Sequence, residues 1–206
     1  ATVTVAMAIA VAGPLGGILA GLATGLAVGM FNGWLTTKIG IPSFLTTLAM
    51  MGIAKGVAMW VSDTAAVPIL SPGYSWVFGG GSVGPIPVLL FWMAILGGIG
   101  HVALRRSGFG RRVLATGGGE TAARYSGIDT AAIKFRVLVL SSCAASLAGM
   151  LYAGRLQSGR FQLGEGDELS VIAAAVLGGT SLFGGKGTVI GTMAGALLLA
   201  ELQQGL

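Results

Sequence analysis

The chain contains little charge. Only 9% of its 206 residues are Asp, Glu, Lys or Arg, while 54% are hydrophobic, and the mean hydropathy is +0.86. An ordinary soluble domain carries about 25% charged residues. This composition excludes a conventional soluble domain and predicts a membrane protein.

Residues of the kind used in catalytic and metal sites are also scarce. The chain has one cysteine, Cys143, and one histidine, His101, so it can form no internal disulfide and offers no cluster of His, Cys and carboxylates for a metal. No Ser, His and Asp set has a plausible common location. We therefore expect no catalytic residue, no metal site and no bound cofactor on this chain.

Residues 178–188 read GGTSLFGGKGT and resemble a phosphate-binding loop only in part. That loop requires G-x-x-x-x-G-K-[ST], whereas Lys186 is followed by Gly187, and Thr180 occupies the position of the first glycine. The segment is therefore not expected to bind ATP by itself.

Long apolar runs dominate the remainder. Residues 1–37 are uncharged and too long for one helix across a hydrocarbon core of about 30 Å, so Gly13 and Pro14 are expected to divide them. The predicted spans or part-spans lie at about 1–12, 15–37, 41–63, 88–104, 131–153, 169–183 and from 187 onward. The run 169–183 is near the lower limit for crossing, so it is either a short span or a re-entrant helix. The fold class predicted is all-α: a polytopic helical membrane protein with about seven spans or part-spans.

Two further patterns concern packing. Glycines recur at every fourth position, as Gly17, Gly21, Gly25, Gly29 and Gly33, and again as Gly187, Gly191 and Gly195. Small residues at this spacing let membrane helices approach closely, so both stripes are interpreted as packing surfaces. In the loop 62–87, the aromatic residues Tyr74, Trp76 and Phe78 are expected at the membrane interface.

Basic residues concentrate in one segment. Seven of the 12 Lys and Arg residues, against Glu120 and Asp129, fall between positions 105 and 136 and account for the whole net charge of +5. They are Arg105, Arg106, Arg111, Arg112, Arg124, Lys134 and Arg136. Such segments bind nucleic acid or anionic lipid in some proteins, but between two spans they are explained by the accumulation of Lys and Arg in cytoplasmic loops. The loop 105–131 is therefore predicted to be cytoplasmic, Lys38 inside and loop 62–87 outside.

Within that loop, residues 117–129 read GGGETAARYSGID. Residues 121–126 are good helix formers, Glu120 favours the positive end of a helix, and glycines mark both ends, with Gly127 as a C-terminal cap. The pattern predicts a short cytoplasmic helix of about two turns. Ala122 and Ala123 are expected to form a small face that a partner groove could receive.

Three segments together resemble one family. FNGWLTTKIGIPSFLTTLAMMGIAKG (31–56), GFGRRVLATGGGETAARYSGID (108–129) and ELSVIAAAVLGGTSLFGGKGTVIGT (168–192) are similar to permease subunits of bacterial ABC importers for monosaccharides, of the ribose, xylose and galactose type. The resemblance implies a ten-span fold, with residues 1–206 forming a single transmembrane permease domain truncated at both ends. It departs from the family pattern at Gly119, where Asn is frequent.

The resemblance also implies a mechanism. Two permease copies or paralogues form the pathway, cytoplasmic ATP-binding subunits hold ATP and Mg²⁺, and a periplasmic or lipid-anchored sugar-binding protein delivers the sugar at the inner (plasma) membrane. The short loop helix docks in a cleft of the ATPase, a role carried onto Gly118, Gly119, Glu120, Ala122, Ala123 and Gly127. Membrane lipid is an expected partner and nucleic acid is not.

The translocation pathway has three candidates, Asn32, Thr47 and Lys55, which are polar groups inside apolar runs. Lys55 either extends its amine to the interface or lines a wet cavity, and the other two could equally join helices by hydrogen bonds. A secondary transporter or channel for a small polar solute, independent of an ATPase, is the alternative function. It would be favoured by acidic residues within the spans, and only Glu201 approaches this.

Overall fold

The computed structural model describes residues 1–205 and is almost entirely helical. The helices, in chain order, are α1 (Thr2–Trp34), α2 (Ser43–Val61), α3 (Pro72–Ser75), α4 (Val88–Arg105), α5 (Gly108–Gly118), α6 (Glu120–Tyr125), α7 (Thr130–Leu156), α8 (Asp167–Leu177) and α9 (Val189–Gly205). Helices α1 and α3 run on into π-helical turns, Leu35–Ile39 and Trp76–Gly80. The strands of the described part have two residues each: β1 (Val67–Pro68), β2 (Ser82–Val83), β3 (Ile86–Pro87) and β4 (Ser158–Gly159).

The chain divides into two compact units. The first consists of Ala1–Phe91 with Lys134–Leu163, and the second of Trp92–Ile133 with the chain from Gly164 onward. The predicted all-α architecture is confirmed, whereas the assignment of residues 1–206 to one permease domain stays a prediction.

In the first unit, α1 is bent where the sequence indicates a division. Gly13 has φ +74° and ψ −174°, outside the helical region, and Pro14 follows it. A positive φ is costly for residues with a Cβ, and Pro14 has no backbone N–H to donate. These two residues therefore interrupt α1 without ending it.

The first glycine stripe is a packing surface, as predicted. All five of its glycines are buried. A Cβ on Gly25 would lie 2.7 Å from the Cβ of Ser146, and one on Gly29 would lie 2.8 Å from the Cα of Val139. The Ser146 hydroxyl, which is 3% exposed, donates a hydrogen bond to the Gly21 carbonyl. The stripe thus places α1 directly against α7.

The loop 62–87 is anchored by its aromatic residues, which corrects the interfacial prediction for two of them. Tyr74 and Phe78 are buried in the protein, with ring centroids 4.7 Å apart, and the Tyr74 hydroxyl donates to the Met150 carbonyl at 3.1 Å. Only Trp76 is exposed. β1 also pairs with β4, Val67 opposite Gly159, so this loop is joined to the segment that follows α7.

In the second unit, α8 and α9 form an antiparallel pair at the second glycine stripe. A Cβ added at Gly195 would meet the backbone of Ala174, and one added at Gly191 would meet that of Gly178. Because Ala174 precedes Gly178 while Gly195 follows Gly191, the helices run in opposite directions. The packing interpretation is therefore confirmed here as well.

Four helices of the described chain are long and apolar enough to cross a membrane: Thr2–Ile39, Ser43–Val61, Val88–Arg105 and Thr130–Leu156. Large apolar residues are exposed on them, as with Leu45, Ile53 and Trp60 on α2, which suits contact with lipid. With 11 residues, α8 is only about 17 Å long. Helix α8 by itself is therefore too short to cross.

Candidate functional site

The loop 105–131 contains two helices, whereas the sequence predicted one. The helix that was missed is α5, whose sequence GFGRRVLATGG begins and ends in glycine. It begins because the Ser107 hydroxyl caps its N-terminus, accepting from the Gly110 amide at 2.9 Å. The glycines predict a loop instead of a helix, because glycine is about 1 kcal/mol less favourable than alanine in a helix interior.

Gly119 connects α5 to α6. Its amide donates to the Ala115 carbonyl at 3.2 Å and its carbonyl accepts from the Ala123 amide at 2.9 Å, so it belongs to both helices. Its φ of −177° and ψ of 96° are extended, and a Cβ there would meet only the Cβ of Ala122 at 3.7 Å. The backbone at Gly119 therefore has room for a residue with a side chain such as asparagine. With glycine at this position, the connection between α5 and α6 is intact.

Gly127 ends α6 as predicted. It has φ +79°; its amide donates to the Arg124 carbonyl at 2.9 Å, and the Ile128 amide donates to the Ala123 carbonyl at 3.0 Å. This paired arrangement with a left-handed residue after the helix is the Schellman motif. The predicted short helix is thus confirmed, one residue earlier than expected, at Glu120–Tyr125.

The two alanines of α6 differ in exposure. Ala122 is exposed, whereas Ala123 is only 4% exposed, on a helix that contacts α5. The expectation that both alanines face outward is therefore wrong for Ala123. The outward surface of α6 carries Thr121, Ala122 and Tyr125, of which Tyr125 is 89% exposed.

A polar cluster that the sequence did not reveal fixes α6 to the start of α7. Arg124 Nη2 lies 3.0 Å from Glu120 Oε1, and Arg124 Nε donates to Thr130 Oγ1 at 2.9 Å. Thr130, which is 2% exposed, donates in turn to Glu120 Oε1 at 3.2 Å. The spacing of Glu120 and Arg124 was the available signal, since residues four apart meet on one side of a helix.

The three pathway candidates lie in the first unit, in different environments. Asn32 is 3% exposed, and its Oδ1 is buried with no hydrogen-bond partner, as is the hydroxyl of Thr36 one turn later. Thr47 is exposed and its hydroxyl donates to the Phe44 carbonyl at 3.0 Å. Lys55 is partly exposed on α2. Of the three, only Asn32 presents a buried acceptor that still lacks a donor.

Among the described residues, no three His, Cys, Asp or Glu side chains are grouped so as to hold a metal. The site does bring together a short helix with an exposed face, the glycines at its ends and its hydrogen bonds to Thr130 of α7.

Comparison with known proteins decides the family. A model described as "Branched-chain amino acid transport system / permease component" matches residues 1–206. The chain belongs to this permease family. With four helices able to span a membrane, the permease is an integral membrane protein.

Several of the curated relatives are named for sugars. The permease is 39% identical over 176 residues to the ribose import permease protein of Bacillus subtilis (strain 168), covering 85% of this chain and 55% of the relative. It is 38% identical over 179 residues to the ribose import permease protein of Escherichia coli (strain K12), covering 84% and 55%. To the L-arabinose transport system permease protein of Escherichia coli (strain K12) it is 38% identical over 177 residues, covering 84% and 52%.

The permease chain thus spans about half the length of the curated relatives that it matches. No solved structure matches it.

Proposed function

We propose that the chain is part of the permease subunit of an ATP-driven importer of a monosaccharide. The observation that carries this is its identity of 38–39%, over 84–85% of the chain, to permeases named for ribose and L-arabinose. The family description names branched-chain amino acids, but these individual relatives favour a sugar. The subunit forms the translocation pathway and is not itself an enzyme.

The energy comes from a partner in this proposal. The loop 105–131 faces the cytoplasm, and α6, the coupling helix, docks in a cleft of an ATPase that holds ATP and Mg²⁺. Ala122 and Tyr125 supply exposed contact surface. Gly118, Gly119, Glu120, Ala123 and Gly127 give the helix its ends and its position on the protein.

The proposed location is the inner (plasma) membrane, with a second permease copy or paralogue and a periplasmic or lipid-anchored sugar-binding protein as further partners. The basic residues of loop 105–131 favour the cytoplasmic side. Lys186 supports the same orientation, because Gly185 beside it lies against Gly117 and Gly118 of that loop. The surrounding lipid contacts the exposed apolar faces.

Asn32 is the best supported of the proposed pathway residues. A buried amide oxygen without a donor is costly in an apolar environment, and intramembrane polar groups without partners often mark the route of a polar substrate. A sugar hydroxyl is a suitable donor for it. Lys55 and Thr47 are assigned to the pathway on their position in the apolar helix α2 alone.

Ala122→Arg tests the coupling role. Ala122 is exposed on α6, so arginine there leaves the fold intact and obstructs docking, whereas arginine at Ala123, which is 4% exposed, would disturb the folded structure. We expect the variant permease to reach the membrane in normal amounts but to lose its co-purifying ATPase. Ser82→Arg, the same gain of charge at an exposed position of loop 62–87, is the matched control and should retain the ATPase.

Two results count against the proposal. Retention of the ATPase and of ATP-driven uptake by Ala122→Arg would remove the docking role of α6. Absence of any co-purifying ATPase from the unmodified permease would favour the alternative, a secondary transporter or channel.

A further inference from the structure

The end of α5 and the loop between α8 and α9 touch backbone to backbone. A Cβ on Gly117 would lie 2.7 Å from the Gly185 amide nitrogen, and one on Gly185 would lie 2.7 Å from the Gly118 Cα. Cβ atoms in real proteins essentially never approach other heavy atoms this closely. We call this contact between Gly117–Gly118 and Gly184–Gly185 the glycine junction.

The glycine junction contains no side chain that could absorb a displacement. A contact between two side chains can relax by changing rotamers, but a contact between two backbones can respond only by moving the segments themselves. Gly184 and Gly185 also have φ of +89° and +76°, values that residues with a Cβ adopt only at a cost. Gly117 is thus restricted to glycine by the close approach, and Gly184 and Gly185 are restricted by both the approach and the conformation.

On one side, the junction is tied to the coupling helix. Gly118 is the last residue of α5, and Gly119, which follows it, hydrogen-bonds into both α5 and α6. The coupling helix also contacts α5 directly. A movement of α6 is therefore passed to the end of α5 over a single connecting residue.

On the other side, the junction is tied to the α8 and α9 pair. The loop 178–188 is closed on itself by the Ser181 amide donating to the Lys186 carbonyl at 3.0 Å. The Thr188 hydroxyl donates to the Gly178 carbonyl at 3.3 Å, and the Thr180 and Thr192 hydroxyls lie 3.4 Å apart. A displacement of Gly184 and Gly185 is thus carried to the end of α8 and the start of α9.

The loop also has space in which to move. A cavity of about 380 Å³ adjoins the junction, lined by Leu104, Val113 and Leu114 on one side and by Thr180, Lys186 and Thr192 on the other. Beside the glycine junction, these facing residues of α5 and of the loop are thus separated by open space. Force arriving from α5 is concentrated at the junction.

We propose that the glycine junction transmits movement of the coupling helix to the α8 and α9 pair, with Gly117, Gly184 and Gly185 as positioning residues for transport. This inference rests on the proposed function and adds the segment that receives the movement. It predicts that separating the two backbones uncouples ATP hydrolysis from sugar movement without releasing the ATPase.

The test compares two substitutions in the same helix, in the permease assembled with its ATPase and binding protein. Gly117→Ala, at the end of α5, places a methyl group 2.7 Å from the Gly185 nitrogen, whereas Gly108→Ala, at the start of α5, places one 3.8 Å from the flexible end of Arg111. We expect Gly117→Ala to lower the sugar transported per ATP hydrolysed by at least about tenfold. Gly108→Ala should leave that ratio within about twofold of the unmodified value.

A second pair tests the junction from its other side. A Cβ on Gly184 would meet the Gly117 carbonyl group, whereas one on Gly179, whose φ is +83°, has nothing within 4 Å. Both alanine variants carry the strain of a positive φ, but only Gly184→Ala disturbs the junction. We therefore expect Gly184→Ala to lower the sugar transported per ATP hydrolysed, as Gly117→Ala does. Gly179→Ala should leave it unchanged.

Co-purification of the ATPase and ATP hydrolysis are recorded for every variant. A lowered ratio with the ATPase bound and active supports the proposal. Proportional losses of transport and hydrolysis, an unchanged ratio, or failure of both junction variants to assemble would each overturn it, because the contact would then serve folding alone. An unmodified complex that transports without ATP would instead refute the proposed function, before any variant is compared.

Discussion

The polar cluster at the base of the coupling helix depends on one buried hydroxyl. The ion pair of Glu120 and Arg124 is exposed, with side-chain exposures of 37% and 64%, and an exposed pair contributes at most about 1 kcal/mol. Thr130 is different because it is 2% exposed and bonds to both charged groups. The orientation of α6 on α7 is therefore governed by the threonine more than by the ion pair.

Thr130→Val tests this at the residue scale. The substitution keeps the shape of the side chain and removes its hydroxyl, so we expect a loss of about 1 kcal/mol in the free energy of unfolding. Amide hydrogen exchange in α6 should become faster. Thr121→Val, at an exposed position of the same helix, is the control; equal effects of the two substitutions would show that the buried hydroxyl has no special role.

Tyr74 anchors loop 62–87 through its own hydroxyl. That group donates to the Met150 carbonyl at 3.1 Å, and burial raises the pKa of the Tyr74 hydroxyl above its ordinary value. Tyr74→Phe keeps the ring stacked on Phe78 and should cost about 1 kcal/mol, measured by thermal unfolding. Tyr125→Phe, at a residue 89% exposed, should cost nothing measurable.

The same group predicts a pH dependence. Because the folded pKa of Tyr74 is raised, its contribution to stability is complete below the unfolded value of about 10 and is lost as the pH rises through the folded pKa. The stability advantage of the unmodified protein over Tyr74→Phe should therefore diminish above about pH 10. An advantage that stays constant to higher pH would contradict the assignment.

At the scale of helices, the glycine stripe of α1 should tolerate no added volume. A Cβ at Gly25 would lie 2.7 Å from the Ser146 Cβ and 3.3 Å from the Cys143 Cα, so Gly25→Ala should destabilise by about 1–3 kcal/mol through overpacking. Gly52 on α2 has nothing within 4 Å of a built Cβ. There alanine should be neutral or stabilise by up to about 1 kcal/mol, because it favours the helix.

Thermal unfolding of the two alanine variants in detergent provides the comparison. The packing account requires Gly25→Ala to unfold at a lower temperature than Gly52→Ala. Equal midpoints would mean that the α1 and α7 contact is loose enough to accept a methyl group.

Helices with regular patterns could be predicted from the sequence, and so could the glycine cap of α6. Hydropathy located the long spans because lipid selects apolar side chains over about 20 consecutive residues. Helix α5 could not be predicted because its glycines are typical of a loop. Its N-terminus is also marked by only one signal, the Ser107 cap. The burial of Tyr74 and Phe78 could not be predicted, since it depends on contacts with Met150 and Gly154 of α7, which are distant in the chain.

At the scale of the whole molecule, the distribution of charge and the contact at the glycine junction support the same proposed orientation in the membrane. The basic residues of loop 105–131 favour the cytoplasmic side, and the glycine junction holds Lys186 with that loop. In the proposed function, the coupling helix, the junction and the loop 178–188 form one continuous path from the docked ATPase to the α8 and α9 pair. The proposal therefore requires that ATP hydrolysis on the partner drive the sugar inward.

Uptake by reconstituted vesicles tests this claim most directly. Vesicles containing the permease, its ATPase and its binding protein are supplied with labelled ribose or L-arabinose, with ATP or a non-hydrolysable analogue. We expect accumulation of one of these sugars with ATP, and none with the analogue or without the binding protein. Accumulation that continues without ATP and without the binding protein would contradict the account and identify a transporter that needs no ATPase.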